Sequence, residues 1–402
     1  MTALKLRIEL RYAFLFLVCL GAGLLPILKA QTKQPPPSQE RPLWSIKPKR
    51  AGYPLPTYSH PGAKVGRDRV KIQFLDDQRL ALAWATRDQI SEKPVGPAND
   101  VPSHLHLAIL DAHTGHQIVN HGWPCSSVGV NFAYTASGQW LLSSDQTVTL
   151  YSSSFDEVRD LDNVRTESRG TFISASGRTF LTHVQDSHAA WSAQLRDSSS
   201  FEVLDSWNDA RSANFRLTYS DHFILGQMVN SLQFQNLYLR KVGGDWTPYS
   251  ISIPDSRPKG EIGYGFVNDV TIAAFAGPQL ELETVEGAEL LNATLPEDGL
   301  FLPTWSATAT STGGERFAVI LDRLRGINSP TLDLYPVPSE DRVVVYSLSK
   351  RSAIYSVRVR GISWWVAQAH PVWNVIALSP DGQLLGIVSD EGVRVYVLPA
   401  GL

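Results

Sequence analysis

Near the end of the chain, apolar and polar residues alternate in three short runs, 373–378, 383–388 and 393–398. Pro-Asp-Gly at 380–382 and Asp-Glu-Gly at 390–392 separate them. A period of two is that of a pleated strand with one face covered. Gly382 and Gly392 supply the backbone freedom a tight reversal needs. The nearly unbroken apolar run Leu-Leu-Gly-Ile-Val at 384–388 predicts a strand covered on both faces. The pattern therefore predicts a three-strand meander.

The same unit recurs. Residues 130–151 repeat it almost position for position, with a Ser-Gly turn at 137–138, and a third copy begins at Thr171 with its turn at Gly177. Weaker copies lie at 70–119, 217–242, 263–290 and 310–357, the last carrying an insertion. Their first-turn landmarks are Asp77, Gly138, Gly177, Asp221, Asp269, Gly314 and Gly382. Gly138 and Gly177 stand 39 residues apart (177 − 138), the length of one four-stranded propeller blade. The expected fold class is all-β: a seven-bladed β-propeller in which the C-terminal blade has three strands of its own. A fourth, closing the ring, is expected from the N-terminal side, at 43–48 or 56–62.

The segment 370–398 resembles a WD-repeat blade: His370 precedes the first strand, Ser-Pro-Asp-Gly forms the turn, and Ser389-Asp390 opens the last hairpin. His370, Ser389 and Tyr396 stand where that family places a His, a Ser or Thr, and a Trp that bond across the blade. The Trp-Asp pair is absent, and Glu391 replaces an Asp. The resemblance implies the broad WD-repeat-like propeller superfamily rather than its eukaryotic scaffold branch.

Composition adds an address. Lys5, Arg7 and Arg11 precede an apolar run at 12–28, and Ala30 ends a small-residue site, so 1–30 reads as a signal peptide. An uncleaved membrane anchor is the alternative, because the run approaches the minimum span. Residues 31–42 read as a proline-rich linker and 43–402 as a single propeller domain. An exported, periplasmic or extracellular protein is expected. After cleavage only Cys125 remains, so stability must come from a core and not from a disulfide. A net charge of −3 offers nothing to nucleic acid, and membrane contact is expected only if the N-terminal segment stays.

Catalytic signatures are missing: there is no Gly-x-Ser-x-Gly elbow, phosphate-cradling loop, dinucleotide fingerprint or paired cysteine motif. Five of the ten histidines fall between 104 and 121. His104 and His106 share a strand face and His113 frames the next turn, which makes these three the candidate metal ligands. The alternative is a generic Asp-Ala-x-Thr-Gly hairpin with solvated histidines. That hairpin also resembles the repeat of quinoprotein dehydrogenases, but a single copy implies no quinone, and no cofactor is expected. Trp364, Trp365 and Trp373 crowd one inter-blade connection and are candidate contacts for a peptide or sugar ring, with core packing as the alternative. The sequence reading is a non-enzymatic scaffold for a protein or small-molecule ligand. An exported hydrolase or lyase with a metal or polar site at the channel, and a membrane-tethered envelope component, remain open beside it.

Overall fold

The structure is a computed structural model of the full chain. It describes residues 41–52, 69–87, 103–125, 131–144, 147–166, 173–185, 191–208, 215–229, 235–250, 263–276, 279–294, 308–321, 340–360, 375–389 and 391–400. The chain divides into two compact units, Met1–Lys33 and Gln34–Leu402, and all described residues belong to the second.

The described residues form one short helix and 28 strands in seven four-stranded antiparallel sheets. Strand β1 (Trp44–Ile46) leads into helix α1 (Pro48–Ala51). Blade 1 holds β2 (Arg69–Phe74), β3 (Arg79–Arg87), β4 (Ser103–Asp111) and β5 (Gln117–Cys125). Blade 2 holds β6 (Asn131–Tyr134), β7 (Trp140–Ser144), β8 (Thr147–Tyr151) and β9 (Glu157–Asp162). Blade 3 holds β10 (Val164–Thr166), β11 (Thr179–Gln185), β12 (Trp191–Asp197) and β13 (Val203–Asn208). Blade 4 holds β14 (Phe215–Tyr219), β15 (Phe223–Val229), β16 (Gln235–Lys241) and β17 (Trp246–Tyr249). Blade 5 holds β18 (Gly263–Phe266), β19 (Thr271–Ala276), β20 (Gln279–Thr284) and β21 (Glu289–Thr294). Blade 6 holds β22 (Thr308–Thr310), β23 (Arg316–Leu321), β24 (Glu340–Ser347) and β25 (Ser352–Arg360). Blade 7 holds β26 (Ile376–Leu378), β27 (Leu384–Ser389) and β28 (Gly392–Val397), and β1 completes it by pairing with β28.

That pairing joins Trp44 to Val395, Ser45 to Arg394 and Ile46 to Val393. The fourth strand of the last blade thus comes from the first of the two expected N-terminal donors, and the ring closes through it. Five buried clusters fill the seven joints: one spans blades 6, 7 and 1, one spans blades 1, 2 and 3, and the others lie between blades 3 and 4, 4 and 5, and 5 and 6. Strands β23 and β27 are buried at every position, as the continuous apolar runs require of strands packed on both faces.

One element departs from the sequence reading. The inner strand of blade 3 starts at Val164, ahead of the expected Thr171, and among the described residues the chain meets β11 again at Ile173, opposite Phe180. Asn163, at φ 58°, turns the chain directly out of β9. Asparagine tolerates that left-handed conformation, and the surrounding Asp-Leu-Asp-Asn-Val-Arg-Thr carries no apolar period to reveal the break.

Five outer strands carry a β-bulge at one equivalent place. The residue left unpaired is Ile118, Val158, Leu204, Leu290 or Ile354, aliphatic each time. In blades 5 and 6 it folds onto the adjoining core, whereas in blades 1, 2 and 3 it stands 55 %, 52 % and 42 % exposed.

Candidate functional site

The histidine-rich hairpin is β4–β5 of blade 1. Alternation along β4 puts Leu105 and Leu107 in the core shared with blade 2, and His104 and His106 on the opposite face with Trp84 of β3. The His106 ring stacks on the Trp84 indole, with centroids 5.3 Å apart and planes at 15°. His104 and His106 are 6.3 Å apart between ring centroids, both half-buried. His113 lies at the far end of the strand, exposed in the turn after Asp111, so the structure brings two of the three candidates together. Among the described residues no group of three or more His, Cys, Asp or Glu side chains gathers around a common point. Trp364, Trp365 and Trp373 lie outside the described residues, as does the side chain of Cys125.

The turn itself is built by Asp111. Its Oδ1 accepts from Thr114 Oγ1 (2.8 Å), Thr114 N (2.8 Å) and His113 N (3.1 Å), so this carboxyl is held below its usual range, first by the Thr114 hydroxyl. Asp197 does the same in blade 3, accepting from the backbone N–H and hydroxyl groups of Ser199 and Ser200. The aspartate of Asp-Ala-x-Thr-Gly is accounted for by turn geometry.

Turns at this end of the ring interlock from blade to blade through six of the seven landmark residues found by sequence spacing; Gly138 is the exception, and blades 1 and 2 meet here through strand residues. Asp381 N donates to Asp77 Oδ1 (3.0 Å), from blade 7 to blade 1. Lys71 of β2 donates to the Phe132 carbonyl of β6, from blade 1 to blade 2. Ala136 N donates to Gly177 O (2.9 Å), and Ser174, Ser176 and Thr179 hydroxyls donate to the Asp221 carboxylate at 2.9, 2.7 and 3.0 Å. Asp221 N and Ser220 Oγ reach Asp269 at 3.2 and 2.9 Å. Asn268 presses on Gly314, where a Cβ would meet its Nδ2 at 2.2 Å. Arg316 closes the circuit with Gly382 O (2.6 Å) and Pro399 O (2.7 Å).

A second set of contacts links six of the seven outer strands to the third strand or hairpin of the next blade. Trp44 Nε1 donates to Ala112 O (2.7 Å), His121 stacks on Phe155 (4.2 Å, 7°), and Arg159 donates to Ser200 O while lying over the Phe201 ring. Burial pulls the His121 pKa down. Asp205 accepts a bidentate pair from Arg240 (3.1 and 3.0 Å) and the Gly243 N–H (2.9 Å). Burial pushes the Asp205 carboxyl up, but Arg240 and the Gly243 and Ser206 N–H groups outweigh it, and the net shift is downward. The Arg240 guanidinium lies 5.6 and 6.0 Å from the centroids of Trp207 and Trp246. Tyr249 OH sits 2.6 Å from Glu283 and 3.1 Å from Thr284 O, and burial holds the Glu283 carboxyl above its usual range against that donation. Arg351 Nη2 donates to Glu289 O (3.2 Å).

Lys71 is the residue sequence reasoning missed. It is buried, its Nζ lies 5.9 Å from the Phe132 ring centroid, and desolvation lowers its pKa to about 8. No carboxylate partner accompanies it among the described residues. Its signal was one lysine within Arg-Val-Lys-Ile-Gln-Phe, at a position where alternation turns the side chain toward blade 2.

No family model matches the chain, and no curated protein matches it by sequence. Among solved structures it is similar to the C-terminal WD40 domain of Sif2 (11 % identity over 83 % of this chain and 97 % of that one, TM-score 0.42). It is also similar to a chain of the mitotic checkpoint complex (10 % identity, 90 % and 96 % covered, TM-score 0.45). The uncharacterized protein lmo1340 from Listeria monocytogenes EGD-e shows 11 % identity, 83 % and 96 % coverage and a TM-score of 0.47. The sheet topology and its ring closure identify this chain as a seven-bladed β-propeller.

Proposed function

We propose that the mature chain is an exported, non-enzymatic scaffold that holds a protein partner at one end of the ring. The observation that carries this reading is the contrast between the connections at the two ends. In six blades the first-to-second-strand turns run from three residues (220–222) to five (379–383). In blade 3 twelve residues (167–178) separate β10 from β11, the last five of them (174–178) following the Ile173–Phe180 bridge. Side chains and amides of these turns are committed to neighbouring blades. Second-to-third-strand connections leave from the opposite end and run from two residues (390–391) to eighteen (322–339), with fifteen at 88–102. Binding residues concentrate on variable connections carried by a rigid frame. Strand β25 ends and blade 7 begins at that same end, and the sequence between them, 361–374, contains Trp364, Trp365 and Trp373, a residue type favoured at the centres of protein interfaces. The basic and apolar N-terminal segment supports export.

Crosslinking in the native host, followed by intact-mass measurement, tests the reading. A mature chain beginning at Gln31 and a stoichiometric crosslinked partner are expected. Replacing 322–339 and 88–102 by two-residue turns should abolish the crosslink while leaving the thermal unfolding transition in place. A crosslink that survives both replacements would overturn the assignment of the binding end.

A further inference from the structure

We infer that His104 and His106 form a two-histidine chelate for a borderline divalent cation, copper(II) foremost, beside the Trp84 indole. The inference is independent of the scaffold reading. Residues two apart on a strand project from the same face, with Cα atoms about 6.6 Å apart, so both imidazoles can turn toward one ion. Here the ring centroids are 6.3 Å apart and the planes are inclined at 34°. His106 is already oriented by its stack on Trp84 at 5.3 Å, so little rotamer freedom remains to be lost on binding. Gly52, at φ 87°, lets the chain after α1 pass against the far edge of that indole, where a Cβ would stand 3.2 Å from Cζ2. Both histidines are half-buried and reachable by a small hydrated ion. Imidazole nitrogen suits copper, nickel and zinc, and copper stands highest in the usual divalent order. His113, at the other end of β4, has no part in the chelate, nor has His121, which lies on the opposite face of the blade against Phe155.

The test uses tag-free mature protein titrated with copper(II) chloride in a non-chelating buffer. One equivalent should bind and quench the Trp84 contribution to fluorescence, and the electron paramagnetic resonance spectrum should show two equatorial imidazole nitrogens. His104→Ala and His106→Ala should each weaken binding about tenfold or more. His113→Ala should leave it unchanged. Trp84→Phe should retain the bound copper and its spectrum while losing most of the quenching. If His106→Ala disturbs the packing on Trp84, His104→Ala carries the test, because the stack on the indole belongs to His106. Binding that survives the His104→Ala/His106→Ala double variant, falls equally in His113→Ala, or shows a nitrogen count other than two would overturn the inference.

Discussion

The joint between blades 7 and 1 and the joint between blades 1 and 2 solve one problem with opposite means. Each third-to-fourth-strand hairpin turns through a left-handed residue: Gly115, Phe155, Phe201, Gly243, Gly287 and Arg351 in blades 1 to 6, all between φ 49° and 86°. In blade 2 the residue is Phe155, whose own ring covers the joint against His121, Trp123 and Trp140. In blade 1 it is Gly115, and the covering ring is Trp44, delivered by β1. A Cβ on Gly115 would stand 2.8 Å from Trp44 Cε3. In these two blades the position holds either a side chain of its own or a visiting one, whereas in blades 4 and 5 nothing lies within 4 Å of where a Cβ on Gly243 or Gly287 would stand. Blade 2 accepts backbone strain to keep its cover in place, whereas blade 1 relies on the strand that closes the ring.

Trp44→Ala is the largest expected break in that comparison. It removes an indole, its bond to Ala112 O and the anchor of β1, and should cost about 3–5 kcal/mol in denaturant unfolding. Gly115→Phe should also destabilise the wild type, because Trp44 occupies the space and φ 71° strains any side chain. Placed on Trp44→Ala, however, Gly115→Phe recreates the arrangement of blade 2 and should recover part of the loss. A double-mutant cycle measures the coupling. If Gly115→Phe is as harmful in the Trp44→Ala background as in the wild type, the two joints are not alternative forms of one device.

Phe155 sharpens the comparison from the other side. Phe155→Ala should cost about 2–4 kcal/mol, since it loses the half-buried ring packed on the core and keeps a left-handed Cβ. Phe155→Gly loses the same ring but releases about 1 kcal/mol of backbone strain. The glycine variant should therefore melt above the alanine variant, the reverse of the order in regular secondary structure. An alanine variant at least as stable as the glycine one would show that φ 72° carries no strain in this hairpin.

Much of this architecture was legible in the sequence. The apolar period of two located every blade, and Asp-Gly or Ser-Gly turns marked three inner hairpins, at Gly138, Gly177 and Gly382, because both signals are local and repeat. Strand β1 was legible chiefly as a missing fourth strand, since Trp-Ser-Ile is a single alternation, too short to establish a period by itself. Blade 3 shows the limit: Asn163 and Val164 begin its inner strand within a polar run, and only tertiary burial of Val164 makes it one. The histidines were legible as a group but not as a geometry. Spacing alone could not tell that Trp84 holds His106, or that the hairpin carries His113 away from it. Phe155 and Phe201 carry a fainter signal, a Ser-Ser-Ser-Phe in which the last residue aligns with the glycine of Asp-Ala-His-Thr-Gly.

The inner part of the joint between blades 1 and 2 gives the smallest and most diagnostic effect. Lys71 is buried there with the Phe132 carbonyl and ring for company, and its pKa falls from 10.5 to about 8. Where a folded-state pKa lies below the unfolded one, the unfolded chain binds the extra proton across the interval. Stability then rises with pH between about 8 and 10.5, and the full penalty applies below about 8. The ceiling on that penalty is about 3 kcal/mol, at roughly 1.4 kcal/mol per pH unit. Lys71→Met keeps the stem volume and discards the charge, at the loss of one hydrogen bond worth about 1 kcal/mol. The variant should be more stable than wild type by about 1–2 kcal/mol at pH 7, and its advantage should shrink as the pH rises toward 10.5. Urea midpoints measured from about pH 7 to 10.5 follow both effects. A Lys71→Met variant that is less stable at pH 7, with the wild-type slope retained above about pH 8, would show that the Phe132 contact outweighs the desolvation, and the hydrophobic cover at this joint would then depend on a polar tie beneath it.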